Sequence, residues 1–153
     1  MDFFLSFVAW FVLLIASLYA WSAYERRKEM LPKVLAYLSR NDACTQQQEF
    51  ARYAFEDALS ISWPLYLVKT SLLIADRDPD ITRVTKQLDE LRDSNPEADC
   101  ELDEIYSMMF RLNLRFNFIT HAIAFLCFKC SSRFRGQKMQ NVLSRAYVER
   151  THC

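Results

Sequence analysis

From Phe3 to Tyr24 the chain carries no charged residue, and Glu25-Arg26-Arg27-Lys28-Glu29 then ends the run abruptly. At about 1.5 Å per residue such a stretch makes a helix of roughly 33 Å, enough to cross a hydrocarbon core of about 30 Å. Phe7-Val8-Ala9-Trp10-Phe11-Val12-Leu13-Leu14-Ile15 is apolar on every helical face. A soluble bundle would have to surround such a helix on all sides, and lipid is the simpler surround. Phe3, Trp10 and Leu14 are therefore anchor residues, while Tyr19, Trp21 and Tyr24 fit the aromatic belt at the headgroup level. A cleaved secretory signal is the competing reading, with Ala20-Trp21-Ser22 as a passable site. Against it, the residues before the run are acidic and the run exceeds the roughly 7–15 apolar residues a signal needs. Arg26, Arg27 and Lys28, with Lys33 behind them, form a basic flank. The positive-inside bias then predicts an outside N-terminus and a cytoplasmic remainder at a cell (inner) membrane.

Beyond the flank the pattern changes from continuous to periodic. Met30-Leu31-Pro32 marks either a kink or a new helix start. Thr45-Gln46-Gln47-Gln48 matches a capping box ahead of Phe50, Ala51, Ala54, Phe55 and Ala58 at helical spacing. Pro64 opens a strongly apolar helix through Leu65, Leu67, Val68, Leu72 and Leu73. Asp78-Pro79 and Asn95-Pro96 each pair a capping side chain with proline at the first helical position, and they bracket a polar surface helix at about 79–93. From about residue 97, Leu102, Ile105, Met109, Leu112, Phe116, Ile119, Ile123 and Leu126 alternate three and four apart. That spacing predicts one long helix with an unbroken apolar seam, offered to the core or to a partner.

Composition narrows the classes. Gly136 is the one glycine of 153 residues, so glycine-rich phosphate loops are absent and tight hairpins are disfavoured. Net charge is zero, yet Asp76 to Glu104 holds eleven acids against four bases, and Ile105 to Cys153 holds eight bases against Glu149 alone. Facing or solvated surfaces within the fold account for this; alternatively Lys129, Arg133, Arg135 and Lys138 form a basic patch for anionic headgroups. No nucleic-acid motif accompanies the basic block. Acids in the first turns of the 97–130 helix and bases at its end also suit a helix macrodipole.

Candidate chemistry is sparse. Cys127-Phe128-Lys129-Cys130 is a C-x-x-C, but metal needs two more ligands and a thioredoxin-like site needs a preceding strand. In a continuous helix His121 points away from both thiols, which leaves it packing in the bundle or solvated. No triad, zinc-protease or di-iron motif is present. The five cysteines are expected to be free thiols if the domain is cytoplasmic.

The sequence thus predicts an all-α protein: a transmembrane anchor at 1–24, a basic juxtamembrane helix or linker at 25–44, and a bundle of about five helices at 45–153. The expected role is a non-enzymatic adaptor or accessory subunit, without cofactor or small-molecule substrate, that meets the bilayer and protein partners or copies of itself. Two alternatives stand beside it. One is a lytic or remodelling protein using Phe116–Phe128 as a second membrane element; the other is a redox or metal protein using Cys127 and Cys130.

Overall fold

In a computed structural model, which describes residues 2–73, 86, 90, 95–130 and 147, the uncharged run forms one α-helix, α1 (Asp2–Glu25). The helix does not stop at the basic flank. A π-helical turn, Arg26–Met30, leads directly into α2 (Leu31–Leu38), giving a helical run of 36 residues from Phe3 to Leu38. Pro32 explains the widened turn: it brings no N–H, and its ring would strike the Lys28 carbonyl in a regular α-helix. The protein is all-helical; among the described residues no strand occurs and one helix is long and apolar enough to cross a membrane.

α3 (Thr45–Asp57) begins one residue earlier than the hydroxyl at Thr45 suggests. Cys44 is the cap: its Sγ accepts from the Gln47 N–H at 3.4 Å, and the Gln47 side chain accepts from the Cys44 N–H at 3.1 Å. Gln48, expected in that reciprocal role, donates instead to the Arg40 carbonyl at 3.0 Å. α4 (Trp63–Leu73) takes Pro64 in its first turn. α5 (Pro96–Phe116) has the expected start, with Asn95 Oδ1 accepting from the Ala98 N–H at 3.2 Å and Pro96 at the first position. α6 is Phe118–Cys130. The Asp78-Pro79 cap, the polar 79–93 helix as a whole, Arg133, Arg135 and Lys138 lie outside the described residues.

Cross-helix pairs give the direction of each element. Tyr19 stacks edge-on against Phe116, Ser22 Oγ donates to the Leu112 carbonyl, Arg111 pairs with Glu29, and Lys33 pairs with Glu104. α5 therefore runs antiparallel to α1 and α2, bringing its C-terminus to the anchor. At the far end Arg40 bridges Asp42 and Glu101, and Asn95 donates to Asp42 at 2.9 Å. Those bonds, from Arg40 first and Asn95 second, hold the Asp42 carboxyl well below the usual carboxylate range. The acids in the first turns of α5 thus answer Lys33 on α2 and Arg40 just beyond it.

The core collects Met30, Val34 and Tyr37 with Phe50, Ala51 and Ala54 of α3, Trp63 and Leu67 of α4, Leu102, Ile105, Met109 and Leu112 of α5, and Tyr147. The small residues on α3 let its backbone approach α5 closely, while each fully buried Leu, Ile or Met contributes about 1.5–3 kcal/mol. Because Met30, Val34 and Tyr37 belong to this core, the helical part of the 25–44 segment, through Leu38, packs as one element of the bundle.

Candidate functional site

The expected seam does not run unbroken to Leu126. α5 ends at Phe116, Asn117 adopts φ −110°, ψ 27°, and α6 starts at Phe118. Leu102, Ile105, Met109, Leu112 and Phe116 are buried, whereas Ile119, Ile123 and Leu126 on the new helix are exposed. In a straight helix residues 110 and 121 would lie about 16 Å apart along the axis. Here the Phe110 and His121 rings have centroids 5.1 Å apart. The chain therefore bends at Asn117 and carries α6 across toward α4.

A buried polar joint holds the bend. Asn113, fully buried, donates to the Asp57 and Ser60 carbonyls at 2.9 and 2.7 Å. Asn117 donates to the Ile61 carbonyl at 2.9 Å and to Asn113 Oδ1 at 3.2 Å, and Thr120 Oγ1 donates back to the Asn117 carbonyl at 2.9 Å. The two amides thereby satisfy carbonyls at the end of α3 and in the turn before α4. His121 Nε2 lies 2.9 Å from Asn113 Oδ1. Since the Asn113 amide nitrogen is engaged with carbonyls, Oδ1 is the acceptor and His121 donates from Nε2. Burial pushes the His121 pKa down, which favours the neutral ring. It packs on Trp63 and Phe110, with ring centroids 5.7 and 5.1 Å away.

Outside this joint an apolar groove of about 350 Å³ opens between α4 and α6. Trp63, Pro64 and Leu67 line one side, Phe118, Ala122 and Phe125 the other, and Phe110 and Leu114 contribute from α5. A second hollow of about 270 Å³ is lined by Asp57, Ser60, Ser62, Trp63 and Tyr66, so Trp63 borders both. Near it Tyr147 is held protonated, first by burial and then by the Asp57 carboxylate. Tyr147 also packs among Phe50, Tyr53 and Tyr106 at centroid distances of 5.7–6.0 Å. Asn113 and Asn117 are not candidates by sequence pattern, and His121, expected to pack in the bundle or be solvated, packs on Trp63 and Phe110. Their signal is two amides and an imidazole spaced four apart, beside a seam otherwise made of apolar residues.

The anchor residues Phe3, Trp10 and Leu14 are exposed, as are Tyr19, Trp21 and Tyr24. Trp21 donates to Glu25 at 2.8 Å. The basic flank divides: Arg26 stacks 4.6 Å over the Phe55 ring, while Arg27 and Lys28 stay exposed. Arg115 pairs with Glu25 at 2.7 Å beside them. Lys129 and Cys127 are exposed on α6, and the Cys130 side chain lies outside the described residues. Among the described residues no three His, Cys, Asp or Glu side chains gather where a metal ion could be held. Compared with protein families, with curated proteins and with solved structures, the chain matches none, so these side chains alone carry the functional reading.

Proposed function

We propose that the chain is a single-pass membrane protein whose helical domain docks another protein, without chemistry of its own, at the membrane that α1 crosses. One observation carries this reading: an apolar groove stays open between α4 and α6 while the anchor packs directly into the same domain. The tether is short and stiff, because α1 passes into α2 with no loop between them. A partner is therefore met close to the bilayer and in one orientation. Arg27 and Lys28, exposed just past the span, favour a cytoplasmic domain and an outside N-terminus at the cell (inner) membrane.

The occupant that fits is the apolar face of an amphipathic helix. Two helices wall the groove, and Trp63, Phe110, Phe118 and Phe125 offer the aromatic surface on which such anchors concentrate binding energy. Lys129 falls on the same helical face as Phe118, Ala122 and Phe125, adding a cation that favours an acid beside the partner's apolar residues. With p-benzoylphenylalanine in place of Phe125, the full chain in its native membrane should form one discrete protein adduct on irradiation. Leu67→Glu should remove that adduct. Adducts with lipid alone, or a protein adduct insensitive to Leu67→Glu, would contradict docking in the groove; an adduct with the chain itself would make the occupant a second copy.

A further inference from the structure

We infer that α6 lies in the plane of the membrane, with Ile119, Ile123 and Leu126 sunk into the bilayer that α1 crosses. The inference rests on α1 being a span and adds where the domain sits against it. The uncharged run is bounded by Asp2 and Glu25. A hydrocarbon core of about 30 Å takes up about 20 residues of such a helix, which puts Tyr19 within the core's edge and not beyond it. Phe116 packs on Tyr19 with ring centroids 5.1 Å apart. The end of α5 therefore reaches the depth where acyl chains give way to headgroups, and α6 starts two residues later.

The bend at Asn117 keeps α6 from continuing along α5 beside α1. It turns toward α4, with Ala124 buried against the domain and the His121 ring beside that of Phe110. The opposite face carries Ile119 and Ile123, each 47% exposed, and Leu126, 59% exposed, at spacings of four and three. Turned away from the bundle at its membrane end, that stripe faces lipid. Ile61, 64% exposed, hangs at the same level because its carbonyl is held by Asn117 at 2.9 Å. The stripe is also distinct from the groove, since Phe118, Ala122 and Phe125 lie about 100° round the helix. Lipid on one face leaves the other open.

The test uses the unmodified full-length chain in vesicles of phosphatidylcholine and phosphatidylglycerol that include a diazirine-bearing phosphatidylcholine, irradiated and then digested with trypsin. Residues 1–26, 93–111 and 116–129 fall in separate peptides. Lipid adducts are expected on 1–26 and on 116–129, the latter at Ile119, Ile123 and Leu126 and at least about ten-fold above 93–111. Adducts on 1–26 alone would overturn the in-plane seat and leave the span intact. Adducts on 116–129 centred on Phe118 and Phe125 would overturn it by putting lipid in the groove. Absence of adducts from both peptides would overturn the span and the seat together.

Discussion

Asn113 and Asn117 set the geometry of the site without being its chemistry. Each occupies a position where an apolar residue would continue the packing, and each accepts the cost of burial because its amide closes carbonyls on a neighbouring turn. Sequence periodicity treats such residues as interruptions, since the carbonyls they serve lie more than fifty positions away. His121 extends the joint and gives it a pH dependence. Its folded pKa is lowered by burial from an ordinary value of 6.5, so between those two values the unfolded chain binds a proton that the folded chain does not. The contribution of the neutral ring is complete above about pH 6.5 and is lost as pH falls from there toward the lowered value. Thermal unfolding of the micelle-bound chain should shift to lower temperature as pH falls below about 6.5. His121→Phe should flatten that dependence, and an equal slope in both proteins would refute the assignment.

At the scale of elements, periodicity located most of the described helices and misjudged their junctions. The Asn95-Pro96 start was legible because a side-chain cap and a proline at the first position are local devices. The start of α3 was displaced because two registers compete there. Thr45 and Gln48 satisfy the local rule, but Gln48 is drawn to the Arg40 carbonyl, leaving Cys44 and Gln47 to close the box. The extent of α5 was overestimated because the apolar spacing of three and four continues straight through Asn117, where the backbone does not. The join between α1 and α5 also depends on one small side chain. Ser22 is fully buried and its hydroxyl meets the Leu112 carbonyl at 3.2 Å, which lets the two helices approach. Ser22→Leu should cost about 1–3 kcal/mol by overpacking. Ser22→Ala should cost no more than the one hydrogen bond, about 0.5–1.5 kcal/mol, in equilibrium unfolding of the same preparation.

For the whole molecule, the anchor and the domain form one continuous body. The uncharged run made a helix of spanning length legible, yet its attachment was not, because nothing in the sequence distinguishes a linker at 25–44 from a helix whose Met30, Val34 and Tyr37 enter the core. That attachment turns an address into an orientation: the same end of the bundle carries the groove, the bend and the outward apolar stripe of α6. The central claim is that α1 holds the domain against the cytoplasmic face of a membrane. Cys100, an exposed thiol near the start of α5 at the end remote from the anchor, reports it most directly. In sealed right-side-out vesicles washed with carbonate, the chain should stay with the membrane and Cys100 should resist a membrane-impermeant maleimide until detergent opens the vesicles. Labelling of Cys100 in the sealed vesicles, or release of the chain by carbonate, would contradict the account.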